Sequence, residues 1–171
     1  GGGIKMNAGC FGREFKDILI SVQAIDQKGS LITIPSKEIS FDYRNNDLPE
    51  DLIFLSASFK GAKSDVRKIK SEMMKMKSEK EKNQPTKIKT SGSTFKNPVK
   101  QTNKKVWELI RESVSTDTKF GDACISNKHS NFFINKGNAT FKDMKKLIDF
   151  VSKKVFEKTG IKLEKEIKIL E

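Results

Sequence analysis

The chain has 171 residues, of which 35% are hydrophobic and 33% are charged, and its formal net charge is +12. This length allows one domain or two small ones, each with a hydrophobic core. No apolar run approaches the roughly 18 residues that span a bilayer, and the first residues lack the pattern of a signal peptide. We therefore expect a cytoplasmic protein that does not bind a membrane.

The positive charge favours an anionic partner, such as nucleic acid or a phosphorylated ligand. A general bias towards lysine is the alternative, because the lysines are spread along the chain rather than gathered in one aromatic-rich patch. Cys10 and Cys124 lie far apart and His129 is the only histidine, so we predict no metal site of the usual zinc type. Both cysteines are predicted to be small buried residues.

The first part of the chain predicts a glycine-rich loop followed by a small sheet. Residues 1–12, GGGIKMNAGCFG, permit close backbone approach to a ligand but lack the strand–GxGxxG–helix pattern of dinucleotide sites. Apolar residues at the even positions of 18–24, a turn at 26–29 and a return at 31–34 predict a β-hairpin. Residues 52–59 predict a third strand that is buried on at least one face.

Residues 62–82 predict a long amphipathic helix. Val66, Ile69 and three methionines form its apolar side, which we predict to be a core face, and lysines cover the remainder. Asn83-Gln84-Pro85 ends this helix and marks the best boundary between two lobes.

The second half predicts two helices and three strands: a helix over 104–113, strands over 123–126 and 131–135, a helix over 140–158, and an alternating strand over 161–170. In the first of these helices we predict that Val106, Trp107 and Ile110 face inward. Thr140 is the predicted N-cap of the second helix, and Gly160 ends it. The chain is therefore predicted to have an α+β fold.

Three polar positions are candidates for chemistry: Ser93 within SGSTFKNP, Arg44 in a polar loop, and Glu166 in the last predicted strand. An arginine and a protonated carboxyl group can stabilise a developing enolate. A serine polarised by a cation such as Lys96 can donate a proton to carbon. On the residues alone each has an ordinary alternative, namely a turn serine, a surface cation and a solvated strand carboxylate.

Five segments, in chain order, resemble the UDP-N-acetylenolpyruvoylglucosamine reductase family: GGGIKMNAGCFG, FDYR, SGSTFKNP, SNKHSNFFIN and LEKEIKIL. The resemblance implies an incomplete FAD-binding lobe made of residues 1–84 and a returning strand at 161–171. It implies a substrate-binding lobe over residues 86–160. The short connection that follows the strand at 52–59 is similar to that of the family's shorter subtype.

The resemblance also implies a reaction. In this family NADPH reduces FAD, which passes a hydride to the enolpyruvyl group of a UDP-sugar and gives UDP-N-acetylmuramate for peptidoglycan. Ser93 would protonate C2 of that group, while Arg44 and Glu166 would stabilise the intermediate. The remaining implied ligands contact either flavin (Gly2, Gly3, Asn7, Ala8, Gly9) or substrate (Tyr43, Lys96, Asn97, His129).

Members of the family carry a further N-terminal portion, so we expect this chain alone to bind FAD weakly or not at all. A separate N-terminal polypeptide, where one exists, is expected to restore activity, and the complete protein is expected to be a monomer that binds no nucleic acid. The family's upstream cation matches either Lys80 or Lys82. Two alternatives remain: a basic nucleic-acid-binding module that uses residues 60–89, and an inactive remnant of the reductase.

Overall fold

The structure is a computed structural model and describes residues 1–170. Its contacts divide the chain into two compact units, Gly1–Met73 and Met74–Glu171, called here the first and second units. Each unit combines helical segments with antiparallel sheets. The predicted α+β class is therefore confirmed.

The first unit is built on a three-stranded antiparallel sheet of order β4-β3-β7, accompanied by two small hairpins, β1-β2 and β5-β6. Its elements are α1 (Gly2–Lys5), β1 (Gly9–Cys10), β2 (Arg13–Glu14), β3 (Leu19–Ile25), β4 (Leu31–Pro35), β5 (Phe41–Asp42), β6 (Asn45–Asn46) and β7 (Ile53–Phe59). Single 3-10 turns occur at Phe15–Asp17 and Ser36–Glu38. The predicted hairpin and third strand are thus present, and the first residues form a helical turn and a hairpin instead of a simple loop.

The alternation predicted for β3 is interrupted by two register shifts against β7, one between Leu19 and Ser21 and one between Gln23 and Ala24. A shift of this kind turns a strand's side chains towards the opposite face. Leu19, Val22 and Ala24 are buried as a result, whereas Ile18 and Ile20 are 47% and 50% exposed. The expectation that Ile18 and Ile20 share the buried face with Val22 is therefore wrong.

Helix α2 (Val66–Asn83) begins after Asp65, whose carboxylate accepts the backbone N–H groups of Arg67 and Lys68 at 2.9 and 3.1 Å. This cap explains why the helix starts later than the sequence predicts. No residue of α2 is buried. The five apolar residues predicted as a core face are all exposed: Val66, Ile69, Met73, Met74 and Met76. The apolar residues do recur at helical spacing, but no residue among 1–170 covers the face that they form.

The second unit contains a four-stranded antiparallel sheet of order β8-β11-β10-β9 and two helices. Its elements are β8 (Lys89–Ser93), α3 (Val106–Ser113), β9 (Lys119–Phe120), β10 (Ala123–Ile125), β11 (Phe132–Asn135) and α4 (Phe141–Thr159). Helix α4 packs against β9, β10 and α3. The core between sheet and helices is formed by apolar side chains of every layer, among them Phe95, Leu109, Ile125, Phe133 and Leu147.

Helix α4 agrees closely with its prediction. Thr140 is the N-cap, and its hydroxyl accepts the N–H of Asp143 at 3.2 Å and donates to that carboxylate at 2.7 Å. Gly160 ends the helix in a left-handed conformation with φ of 72°. Local signals were sufficient here because both ends depend on residues adjacent in sequence.

Among residues 1–170, no helix is both long and apolar enough to cross a membrane.

Three other expectations, about two strands and one cysteine, differ from the structure. Residues 161–170 form no strand, and only an isolated bridge joins Lys165 to Phe95. These residues belong to the second unit by their contacts. The sequence predicts no strand at residues 89–93, which form β8 and end at Ser93. Cys124 is buried as predicted, but Cys10 is exposed, so that prediction is wrong for Cys10.

The N-cap of α4 can be tested by Thr140→Ala, with Thr140→Ser as the control that keeps the hydroxyl. We expect Thr140→Ala to lower the free energy of unfolding by about 0.5–2 kcal/mol and Thr140→Ser to change it far less.

Hydrogen bonds from Thr140 lower the pKa of Asp143 from its ordinary value of 3.8. The stabilisation that accompanies a lowered pKa is complete above 3.8 and is lost as the pH falls below it. The Thr140→Ala deficit should therefore shrink as the pH falls below 3.8. Urea unfolding at neutral and acidic pH measures both effects; an undiminished deficit at low pH would contradict the second.

Candidate active site

Ser93 is the last residue of β8, where it pairs with Phe132 of β11. The preceding Gly92 has a φ of +87°, a backbone conformation that other residues rarely adopt, and its N–H donates to the Thr90 hydroxyl at 3.2 Å. This geometry sets the direction in which the chain leaves the strand. Ser93 is half-buried at the end of this strand.

The residues that follow Ser93 are hydrogen-bonded to the last part of the second unit. Thr94 accepts the backbone N–H of Glu166 at 2.9 Å, and Lys96 donates its N–H to the carbonyl of Glu164 at 2.8 Å. Glu166 is therefore anchored beside the residue that directly follows Ser93. The structure thus brings two of the three predicted catalytic residues into one neighbourhood.

Two predicted substrate ligands have contacts within this neighbourhood. The ammonium group of Lys96 lies 2.5 Å from a carboxylate oxygen of Glu164, and the Lys96 side chain is only 20% exposed. The side-chain oxygen of Asn97 accepts the N–H of Val106, the first residue of α3, at 3.0 Å. Both side chains help to position the unit, and their binding of substrate stays a prediction.

A cavity of about 400 Å³ opens in the second unit, and its walls come from α3 and from the loop that joins β10 to β11. Cations, hydroxyl groups and aromatic rings line it: Asn83, Trp107, Arg111, Thr116, Ser126, Asn127, Lys128, His129 and Ser130. Its volume falls in the range typical of small-molecule sites. His129, predicted near substrate, is thus part of this cavity.

The ring of His129 is held by aromatic neighbours on two sides. Its centroid lies 4.8 Å from that of Phe132 and 6.4 Å from that of Trp107, both edge to face. The N–H of Asn131 donates to Nδ1 at 3.3 Å, which places the ring proton of the neutral form on Nε2. Burial lowers the pKa of His129, so the ring is neutral at pH 7.

The sequence prediction missed most of this cavity. Trp107 was expected to face the core, yet it is 37% exposed and lines the cavity. The signal that could have revealed it is the spacing in α3: Val106, Leu109 and Ile110 are buried, which leaves Trp107 and Arg111, four residues apart, on another face. The loop 126–130 carries no such periodic signal.

Tyr43 and Arg44 form the two-residue turn between β5 and β6 in the first unit. Arg44 has a φ of +54°, unusual for a residue with a side chain, and its guanidinium carbon lies 5.1 Å from the centre of the Tyr43 ring. The predicted Tyr-Arg pair is therefore a local structural unit. Arg44 belongs to the first unit, whereas Ser93 and Glu166 belong to the second.

The predicted flavin-contacting glycines differ in what surrounds them. A Cβ on Gly3 would lie 2.6 Å from the ring of Phe15, and one on Gly9 would lie 2.8 Å from the carbonyl of Arg13. Close packing within the chain therefore accounts for both. Gly2 has no atom within 4 Å of a built Cβ, so its surface is open to a ligand.

Asn7 is fully buried and holds the glycine-rich loop together. Its amide donates to Glu14 at 3.0 Å and to the carbonyl of Asp42 at 3.4 Å, and its oxygen accepts the N–H of Lys16 at 3.2 Å. The backbone N–H and carbonyl of Ala8 are also hydrogen-bonded within the unit. The side chain of Asn7 is thus committed to the fold, and flavin contact by the loop stays a prediction.

Two open cavities of about 240 and 350 Å³ adjoin this loop. Apolar and aromatic groups dominate the first, which is lined by Gly1, Gly3, Ile4, Phe15, Phe54, Leu55, Ser56, Ala57 and Phe59. The second is lined by Ala8, Gly9, Cys10, Arg13, Glu14, Phe15 and Ile18. Such walls suit one side of a flat aromatic cofactor.

Among residues 1–170, no group of three or more His, Cys, Asp or Glu side chains is placed to hold a metal ion.

Comparison with known proteins identifies the family. Residues 84–170, about half of the chain, match the family described as UDP-N-acetylenolpyruvoylglucosamine reductase, C-terminal domain. The chain belongs to this family. The predicted resemblance is therefore confirmed, and the family is one of reductases.

Individual reductases of the family match nearly the whole chain. The UDP-N-acetylenolpyruvoylglucosamine reductase of Pelagibacter ubique (strain HTCC1062) is 64% identical over 170 residues, covering 99% of this chain and 56% of that protein. The reductase of Rickettsia massiliae (strain Mtu5) is 47% identical over 168 residues, covering 98% and 56%. The chain therefore spans a little over half the length of these curated relatives.

The fold agrees with that of a solved family member. The crystal structure of the UDP-N-acetylenolpyruvylglucosamine reductase from Thermus caldophilus superposes with a TM-score of 0.82 at 32% identity. The match covers 98% of this chain and 59% of that one. Both units of the chain are therefore included in the similarity.

The environment of His129 can be tested by NMR, because His129 is the only histidine of the chain. We expect its titration midpoint to lie below the ordinary value of 6.5, since burial opposes charging of the ring. Trp107→Ala should expose the ring and move the midpoint back towards 6.5, whereas Phe141→Ala, at an exposed position of α4, should not. A native midpoint at or above 6.5 would contradict the described burial.

Proposed function

We propose that this chain provides the substrate-binding and proton-donating part of a reductase that uses NADPH and FAD. The reaction would convert UDP-N-acetylglucosamine enolpyruvate into UDP-N-acetylmuramate, a peptidoglycan precursor. The observation that carries this proposal is the backbone pairing that anchors Glu166 beside the residue after Ser93. Membership of the reductase family supports it.

The cavity beside α3 is the proposed site for the UDP part of the substrate. Arg111 and Lys128 supply positive charge, and a guanidinium group suits the paired oxygens of a diphosphate. Trp107 and His129 supply aromatic surface against which a base can stack. The neutral His129 offers an Nε2–H donor that does not depend on protonation near pH 7.

The proposed proton donor is Ser93, whose hydroxyl delivers its proton to C2 of the enolpyruvyl group. Arg44 and Glu166 stabilise the developing enolate, Arg44 by its positive charge. Reduced FAD, when bound, supplies the hydride that completes the reduction of the double bond. The walls formed by Gly1–Gly3 and Ala8–Cys10 would hold its ring system from one side.

We assign the rest of the flavin site to the portion of the longer relatives that this chain does not match. The relatives are longer, and this chain spans only 56% of the Pelagibacter protein. The two open cavities, of about 240 and 350 Å³, are small for a whole dinucleotide cofactor. Cofactor binding is therefore proposed to need both portions.

The role of Ser93 is tested by Ser93→Ala in the complete reductase polypeptide. The two half-reactions should separate: flavin reduction by NADPH stays near the native rate, and turnover of the enolpyruvyl substrate falls about 10²–10⁴-fold, the usual contribution of a general acid. Ser91→Ala makes the same change two residues earlier in β8, at an exposed position, and should affect neither step. Stopped-flow absorbance of the flavin reports both rates. An equal loss in both half-reactions would falsify the proton-donor role.

The substrate cavity is tested by Arg111→Met with UDP as the ligand. A charged hydrogen-bond donor contributes about 1.5–3 kcal/mol, so UDP affinity should fall by roughly 10- to 100-fold. Uridine carries no phosphate, so its affinity should change little. Arg67→Met removes an exposed cation of α2 that does not line the cavity, and it serves as the control. Isothermal titration calorimetry gives the constants, and native UDP affinity in Arg111→Met would remove this cavity from the proposal.

A further inference from the structure

Asn131 lies just before β11, and only 3% of its surface is exposed. Its side-chain oxygen accepts the N–H of Phe95 at 3.0 Å, and its side-chain nitrogen donates to the carbonyl of Phe95 at 2.8 Å. Its backbone carbonyl accepts the N–H of Thr94 at 2.8 Å. Three hydrogen bonds from one residue therefore hold the two residues that follow Ser93.

An amide is suited to this task because it presents one acceptor and one donor side by side. Those groups match the N–H and carbonyl of a single residue, here Phe95. A carboxylate would place a second acceptor against the Phe95 carbonyl. An apolar side chain would leave these two buried backbone groups without partners, which is unfavourable.

The same short segment is held from its other side by the last part of the second unit. The carbonyl of Thr94 accepts the N–H of Glu166 at 2.9 Å. Thr94 thus connects Asn131 on one side with Glu166 on the other. A displacement of Asn131 would therefore displace Thr94, to which both Ser93 and Glu166 are joined.

Asn131 also contacts the proposed substrate cavity. Its backbone N–H donates to Nδ1 of His129, and the adjacent Ser130 donates its hydroxyl to the carbonyl of Trp107 at 2.5 Å. The loop that lines the cavity is consequently continuous with the residue that holds the Ser93 segment.

We propose that Asn131 is a positioning residue, which sets Ser93 and Glu166 in register with a substrate held in the α3 cavity. This inference rests on the proposed function. Asn131 itself touches no reacting atom, and it acts by fixing the backbone at Thr94 and Phe95. A misplacement of about 1 Å in such a site can reduce the rate about 100-fold.

The test is Asn131→Asp in the complete reductase polypeptide, with Asn135→Asp as a matched control. Asn135 is the last residue of β11, and its side chain makes the same kind of contacts. It donates to the carbonyl of Ala139 and accepts the N–H groups of Gly137 and Ala139. It holds the loop before α4 and not the Ser93 segment. Stopped-flow measurement of both half-reactions and of KM is the readout.

We expect Asn131→Asp to lower kcat of the substrate half-reaction about 100-fold, with flavin reduction by NADPH and KM for substrate within about 2-fold of native. Asn135→Asp should leave both half-reactions within about 2-fold of native. Because a protonated carboxyl group regains the donor, kcat of Asn131→Asp should recover as the pH falls from about 8 to about 6, relative to native and to Asn135→Asp. A purely structural role predicts no such pH-dependent recovery of kcat.

The outcomes separate this inference from the proposed function. A native substrate half-reaction in Asn131→Asp, while Ser93→Ala is slow, would overturn the positioning role alone. Native rates in both variants would overturn the proton-donor role of Ser93 and the inference with it. If Asn131→Asp yields too little folded protein, Asn131→Ser tests the same contacts, with an expected loss of at least about 10-fold. Faster amide hydrogen exchange at Thr94 and Phe95 than at Ile134 would support the loosening in either variant.

Discussion

The candidate site depends on the backbone of residues 94–96, which is hydrogen-bonded along both edges. The side chain of Phe95 fixes the same segment from a third direction, since it is 1% exposed and packs edge to face against Phe133 at 6.0 Å. Phe95 belongs to the core shared by the sheet and both helices of the second unit. The hydrophobic core therefore fixes the position of Ser93, because only Thr94 separates Ser93 from the buried Phe95. The segment also carries a cost, because the buried Thr94 hydroxyl has no hydrogen-bond partner among residues 1–170.

How far the sequence predicts the fold depends on whether a signal is local. The ends of α4 were predicted because Thr140 and Gly160 act on their immediate neighbours. The face of α2 was not, since periodicity shows which residues share a side and does not show whether a partner covers it. The buried positions of β3 were partly wrong because its two register shifts arise in the pairing with β7.

For the candidate site, residue types were predictable and most of the contacts were not. The motif around Ser93 and the family resemblance indicated a serine, an arginine and a glutamate. Nothing in the sequence indicates that Glu166 pairs with Thr94, because that contact joins distant parts of the chain. Asn131 was not predicted for a related reason. Its side chain bonds to the backbone of Phe95, and because every residue has a backbone, no pattern of residue types marks this partner.

The pairing of residues 94–96 with 164–166 has a consequence for how the protein is made. Lys96 and Glu164 are separated by 68 positions, so this contact has a high sequence separation and closes a long loop. During synthesis, the strand that bears Ser93 leaves the ribosome well before Glu166 does. The sheet and α3 can form first, and the neighbourhood of Ser93 is completed only when residues 164–166 have emerged. A nascent chain stalled before this point would have most of its fold and no assembled site.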